Sequence, residues 1–107
     1  MPKQALESLT ETMFYVLLAL YREEKCGTDI AAWIEKTTQE RLRPGPATLY
    51  TILAKFEKEK LIRETKVEGR KRTYAITEYG RQCCRNEWNR LRQCVRDGEK
   101  QLSEKEA

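Results

Sequence analysis

The stretch at residues 44–61, PGPATLYTILAKFEKEKL, constrains the fold most because it combines a helix start with two separate helix faces. Gly45 can act as the N-cap, and Pro46 suits the first helical position, where its missing N–H would have no partner anyway. Four apolar residues recur at helical spacing along one face: Leu49, Ile52, Leu53 and Phe56. Hydroxyl and ammonium groups occupy another face, at Thr48, Thr51, Lys55 and Lys58. The segment therefore predicts a helix that buries one side in a small core and offers the other to a polyanion.

The length and charge of the chain indicate how many domains it has and which partners it can bind. A length of 107 residues predicts one domain. Because 36% of the residues are charged and 39% hydrophobic, the core is modest, and we expect a partner subunit to cover the last apolar stripe. Residues 41–72 contain ten Lys/Arg and four Asp/Glu, so the charge of this segment is +6. The rest of the chain carries −2, which gives the net charge of +4. Such clustering is typical of phosphate contact, although a solvated basic surface has the same composition.

The cysteine pattern argues against a metal site. The chain has four cysteines, Cys26, Cys83, Cys84 and Cys94, with no CxxC pair and no histidine, so no zinc site and no cofactor are expected. No signal peptide precedes them, and the apolar run at residues 13–21 is too short to span a membrane. We therefore expect a cytoplasmic protein with free thiols that pack as small hydrophobes, the alternative being a redox role for Cys83 or Cys94.

Two helices are predicted ahead of the central segment. Ser8 and Glu11 have the form of a capping box, which would open a helix over TETMFYVLLALYREE. This helix is apolar nearly all round, as expected if one side packs on its own domain and another on a second copy; the alternative is a central core helix. Residues 25–27 break the pattern, and Thr28 can cap the next helix. The inward face of that helix is predicted to contain Ile30, Trp33, Ile34 and Thr37.

The residues after the central helix predict a wing. Three helices with a short turn before the last form a helix-turn-helix layout. Residues 61–67 and 72–76 have strand character, and the turn between them contains Gly69, which can take a positive φ. The hairpin tip carries Arg70, Lys71 and Arg72, with Lys66 nearby. These cations can reach a nucleic-acid backbone or the minor groove, or they can protect an exposed strand edge from aggregation.

The last helix is predicted to begin at Thr77 and Glu78 and to fray from Gly98 onward. Its apolar residues alternate at spacings of four and three, which is typical of a seam between paired helices. We therefore expect a homodimer built on this helix and the first one, the alternative being a seam that folds back on its own domain. The predicted interface comprises Leu9, Met13, Leu17, Cys84, Trp88, Leu91, Val95 and Leu102. Residues 1–77 would form the winged helix-turn-helix domain and residues 78–107 the dimerisation helix and tail.

Four motifs resemble those of the PadR family of bacterial transcriptional regulators, in its short-tailed subgroup: MFYVLLAL, CGTDIAAWI, GPATLYTILAKFEKEKLI and GRKRTYAITEYG. The resemblance implies a mainly α fold with a small β-hairpin, in which a winged-helix dimer represses transcription from an inverted-repeat operator. It implies that the third helix enters the major groove of duplex DNA and that the wing contacts the backbone or minor groove. The predicted DNA-contacting residues are Pro46, Ala47, Thr48, Tyr50, Thr51, Lys55, Lys66, Gly69, Arg70, Lys71 and Arg72.

The chain departs from the family pattern at two places. Lys60 stands where the family often has glycine, so it must either adopt a left-handed conformation or reshape the turn. Some family members stack planar ligands between paired tryptophans on the last helix; the corresponding residue here is Leu91, and Trp88 lies one turn earlier. The resemblance therefore leaves two roles for Trp88 and Leu91, a pocket for a small aromatic effector or simple packing in the dimer interface.

Three classes of function can be compared at this point. The leading hypothesis is a dimeric DNA-binding repressor. The alternative is a winged-helix adaptor that uses the same faces to bind polypeptides without specific DNA binding. An enzyme is not expected, because the sequence has no histidine, nucleophile elbow, phosphate-binding loop or clustered carboxylate pair.

Overall fold

The computed structural model describes residues 9–106, which form four helices and a three-stranded antiparallel sheet. This arrangement confirms the predicted mainly α fold with a small β component. The elements in chain order are α1 (Glu11–Leu20), β1 (Lys25–Cys26), α2 (Gly27–Thr37), α3 (Pro46–Lys58), β2 (Ile62–Glu68), β3 (Lys71–Ile76) and α4 (Glu78–Glu106).

The core lies where the apolar stripes of the helices meet one face of the sheet. The predicted stripe of α3 is buried in full, and Phe56 is among the largest side chains with no exposed surface. Ile30 and Ile34 of α2 are also fully buried, whereas Trp33 is half-buried and Thr37 is exposed. The periodicity therefore predicted the inward face of α2 correctly except at its last turn. Because α3 buries only its apolar stripe, its polar face remains outside the fold.

The starts of the first two helices differ from the prediction. Ser8 lies outside the described residues, and the N-cap of α1 is Thr10, whose hydroxyl oxygen accepts a 3.1 Å hydrogen bond from the Met13 N–H. The N-cap of α2 is Cys26 rather than Thr28, which is the second residue of the helix. The reason is that Cys26 is held in an extended conformation by pairing with Thr73 of β3, so the helix begins directly after it.

The short strand β1 was missed by the sequence analysis. Lys25 pairs with Tyr74 and Cys26 with Thr73, so β1 joins the outer edge of the hairpin and the strand order is β1-β3-β2. A strand of two residues has no alternation from which it could be recognised. Its pairing nevertheless attaches the start of α2 to the base of the wing.

The hairpin itself agrees with the prediction to within one residue at each strand. Glu68 pairs with Lys71 across a two-residue turn, and Gly69 has the predicted positive φ of 64°. A register shift between Glu64 and Lys66 marks a β-bulge, which increases the local twist of β2. The turn glycine confirms that the wing is closed as a tight hairpin.

The sequence predicted that Lys60 either adopts a left-handed conformation or reshapes the turn after α3. In the structure its backbone is left-handed, with a φ of 70°. The Leu61 N–H donates to the Phe56 carbonyl at 2.8 Å, and the Lys60 N–H donates to the Glu57 carbonyl at 3.1 Å. These two bonds form a Schellman motif, which ends α3 and directs the chain into β2.

The helix α4 begins as predicted and has helical conformation beyond Gly98. The hydroxyl oxygen of Thr77 accepts the Gly80 N–H at 3.0 Å, so Thr77 caps the helix. The helix then continues through Gly98 to Glu106. One glycine costs about 1 kcal/mol in a helix, and strong helix formers such as Arg96, Glu99 and Lys100 surround Gly98. Fraying of the last turns stays a prediction.

Candidate nucleic-acid interface

The polar face of α3 is the first component of the candidate interface. Gly45 provides the N-cap and Pro46 the first helical residue, as the sequence predicted. All six predicted contact residues on this helix are exposed: Pro46, Ala47, Thr48, Tyr50, Thr51 and Lys55. Because the opposite stripe of the helix is anchored in the core, these side chains are presented on a rigid element.

The wing is the second component, and its cations are not equivalent. The predicted residues Lys66, Gly69, Arg70, Lys71 and Arg72 are all exposed. The Arg72 guanidinium, however, is engaged within the wing: its Nε lies 3.0 Å from a Glu64 carboxylate oxygen. A hydrogen bond with Tyr74, followed by the charge of Glu64, raises the pKa of Arg72 above its ordinary value. Strand register explains this, because Glu64 pairs directly with Tyr74, two residues beyond Arg72 on the same face.

Some of the cations in residues 41–72 form ion pairs with carboxylates, and others do not. Arg41 pairs with Glu11 at 2.6 Å, and Arg43 pairs with Glu35 at 3.1 Å. Within the described residues, three exposed cations among the predicted contact residues form no ion pair: Lys55, Arg70 and Lys71. Free positive charge therefore remains on the polar face of α3 and at the wing tip.

Two clefts flank the exposed face of α3. A cleft of about 470 Å³ lies between α3 and the start of α1, where Thr10 and Thr12 face Thr48, Thr51 and Lys55. A second cleft, of about 310 Å³, lies between Tyr50, the start of α2 and the wing tip. Thr10, Thr12, Gly27 and Thr28 also border the site, and this was not predicted from the sequence. No local signal could have identified them, because only the packing of the helices brings them beside α3.

Comparison with known proteins identifies the family. The model of the transcriptional regulator PadR-like family matches residues 16–86. The chain belongs to the PadR-like family. The matched region runs from α1 into α4 and contains both components of the candidate interface, so the PadR-like chain is a member of a family of transcriptional regulators.

Individual proteins are similar to the chain in sequence or in fold. An uncharacterised 37.1 kDa protein in transposon Tn4556 of Streptomyces fradiae is 35% identical over 77 residues; the match covers 72% of the PadR-like chain but only 22% of that relative. A transcriptional regulator from Clostridium thermocellum has a similar fold, with 23% identity, a TM-score of 0.68 and coverage of 84% of this chain and 97% of that one. Bacillus subtilis PadR in complex with operator DNA is also similar, with 22% identity, a TM-score of 0.61 and coverage of 69% and 44%.

The residues predicted for a dimer interface lie in two environments. Leu17 is 0% exposed and Cys84 is 2% exposed, and Met13 is also buried in the core of its own chain. In the single chain, α1 packs against the first part of α4, and this contact leaves little surface of these three residues to face a second copy. The other residues of the predicted interface are more accessible to solvent. Trp88, Val95 and Leu102 of α4 are 49%, 59% and 65% exposed, and Leu9 and Leu91 are half-buried.

Trp88 and Leu91 line a shared surface groove of about 360 Å³ together with Val95. The guanidinium carbon of Arg92 lies 4.8 Å from the centre of the Trp88 ring, a cation–π distance. One face of the indole is therefore already covered by a side chain of its own helix.

The cysteines of the PadR-like chain are all free. Burial raises the pKa of the Cys84 thiol to about 11 and also raises the pKa of Cys83 above its ordinary value. Burial therefore disfavours the thiolate, the reactive form, at Cys83 and Cys84, whereas Cys94 is exposed. Among residues 9–106, no three potential ligands converge on a metal position, and no helix combines the length and apolar character needed to cross a bilayer.

Proposed function

We propose that this PadR-like chain binds duplex DNA as a homodimer and represses transcription from an inverted-repeat operator. The observation that carries the proposal is the exposure of the polar face of α3 beside a wing tip with free cations, on elements that are anchored in the core. The similarity to Bacillus subtilis PadR, which was solved in complex with operator DNA, supports the same reading of these surfaces.

In this proposal, affinity and specificity come from different side chains. Lys55, Arg70 and Lys71 contact phosphates, so that binding weakens steeply as salt rises. Thr48 and Thr51 lie near the start of α3, where their hydroxyls can donate to or accept from base edges and their methyl groups can contact thymine. Phosphate contacts set the register of the protein on the duplex, and the threonines read the sequence.

The second copy is proposed to pack on the exposed part of α4. Trp88, Val95 and Leu102 recur at intervals of seven residues, which places them in one row along the helix. If each copy places its α3 in the major groove on the same side of the duplex, the half-sites lie about one helical turn, or about 10 bp, apart.

Removing single free cations tests the DNA-binding proposal. Lys55→Ala and Arg70→Ala are each expected to weaken binding to all sequences, and to lower the slope of log K against log salt by about one per copy, because each removes a phosphate contact. The measurement is a gel shift with the DNA upstream of the chain's own coding sequence, at several salt concentrations. Lys100→Ala removes the same charge from an exposed position of α4 and should leave the slope unchanged.

Two outcomes would argue against the proposal. If Lys55→Ala and Arg70→Ala bind as the parent does, these residues do not contact DNA. If the parent itself shows no specific retardation while it remains dimeric, a polypeptide-binding adaptor becomes the better interpretation.

A small aromatic effector is proposed to bind at the groove formed by Trp88 and Leu91. A planar ligand would take the place of Arg92 on the indole ring and is expected to quench the Trp88 fluorescence. A Trp33→Phe variant leaves Trp88 as the single tryptophan, so the titration of planar aromatic compounds reports on this groove alone. Equal quenching in a Trp88→Phe variant that retains Trp33 would locate the ligand elsewhere.

A further inference from the structure

Gly27, the first residue of α2, lies directly beneath the ring of Tyr50 on α3. A Cβ atom at position 27 would be 2.5 Å from the Tyr50 hydroxyl oxygen, 2.9 Å from its Cζ and 3.0 Å from its Cε1. Since unbonded heavy atoms pack at about 3.5–4.0 Å, any side chain at this position would displace the phenol. Gly27 does not have the left-handed backbone that requires glycine elsewhere in the chain. Glycine at position 27 is therefore explained by the Tyr50 ring, which fills the space that a side chain would need.

Tyr50 borders the cleft of about 310 Å³ between α3 and the wing tip. Its side chain is 47% exposed, although its hydroxyl end is in contact with Gly27. Arg70 and Lys71, whose charges form no ion pair among the described residues, line the same cleft, and no carboxylate lines it. A phenol O–H and two free cations together form a donor set that matches the oxygens of a backbone phosphate.

We propose that Gly27 is a positioning residue for DNA binding. It allows Tyr50 to lie close to the start of α2, so that the phenol O–H donates to a DNA phosphate that Arg70 and Lys71 hold in the cleft. Gly27 itself contacts no DNA in this proposal and acts through the position of the Tyr50 ring. The inference rests on the proposed DNA-binding function and adds one phosphate subsite to it.

The test is the Gly27→Ala variant. Alanine favours helix more than glycine does, so the melting temperature should equal or exceed that of the parent. DNA binding should weaken about tenfold, because a hydrogen bond to a charged phosphate is lost. The loss should be equal on the duplex upstream of the chain's own coding sequence and on a random duplex of the same length, since a phosphate contact carries no sequence information. Tyr50→Phe, which removes only the hydroxyl, should give a similar loss.

A double-mutant comparison separates positioning from a general effect of the new methyl group. In a Tyr50→Ala background the methyl group has room, so adding Gly27→Ala should change binding by less than about twofold. The inference is overturned if Gly27→Ala or Tyr50→Phe binds both duplexes as the parent does, or if Gly27→Ala weakens the Tyr50→Ala variant by the same factor as the parent. It is also overturned if Gly27→Ala melts well below the parent, because the glycine would then support the fold instead. A parent that binds neither duplex overturns the proposed function itself.

Discussion

Gly80→Ala is expected to destabilise the protein by about 3 kcal/mol or more, a large part of the stability of a domain this small. A Cβ at position 80 would lie 2.1 Å from the Leu61 carbonyl oxygen and 2.8 Å from the Ile76 Cγ1. The first of these atoms belongs to the backbone of the residue that precedes β2, and it cannot rotate away. The added methyl group would therefore force α4 away from the sheet and disturb the cap at Thr77.

Urea denaturation at a fixed protein concentration measures this effect. The matched control is Gly98→Ala in the same helix, where a Cβ would meet nothing within 4 Å. That variant should gain about 0.5–1 kcal/mol, because alanine replaces glycine in a helix interior. If Gly80→Ala unfolds at the same urea concentration as the parent, the close contact between Gly80 and the Leu61 carbonyl is not a feature of the folded protein.

Val95→Glu is expected to convert the proposed dimer to a monomer and to weaken binding to the proposed inverted-repeat operator by about a hundredfold or more. Val95 lies in the middle of the exposed apolar row of α4, and a carboxylate there would have to lose its water for the two helices to pack. A monomer contacts one half-site at a time, so the gain from linking two binding modules disappears. The fold itself should be retained, because Val95 is already exposed in the single chain.

Sedimentation velocity and the gel shift measure the two parts of this prediction. Asn89→Glu is the control: it adds the same charge at an exposed position of α4, on the side away from the apolar row. This variant should remain dimeric and bind as the parent does. A Val95→Glu variant that stays dimeric would show that a different surface joins the two copies.

The α3 helix and the wing were predictable because their signals are local. A proline at the first helical position, an apolar stripe at helical spacing and a glycine in a tight turn each act within a few residues. The structure accordingly has α3 starting at Pro46 and Gly69 with a positive φ. Even the conformation of Lys60 was among the predicted alternatives, since a helix that ends in a Schellman motif needs a left-handed residue there.

The candidate interface was predictable only in part. The sequence placed the cations in one segment, but it could not separate Arg72, which pairs with Glu64, from Arg70 and Lys71, which remain free. That distinction depends on strand register. The contact between Gly27 and Tyr50 is likewise invisible in the sequence, because the two residues meet only when α2 packs beside α3.

The sequence by itself determined the helices, the wing, the exposed polar face of α3 and the family, because periodicity and turn chemistry are properties of short segments. Only the tertiary structure decided which element covers each apolar side. It placed Leu17 and Cys84 in the core of their own chain, left Trp88 and Val95 outside, and joined Lys25 and Cys26 to β3 as a third strand. The spacing of apolar residues indicates which face of an element is apolar. The element that packs against this face depends on long-range contacts, which a local sequence pattern does not specify.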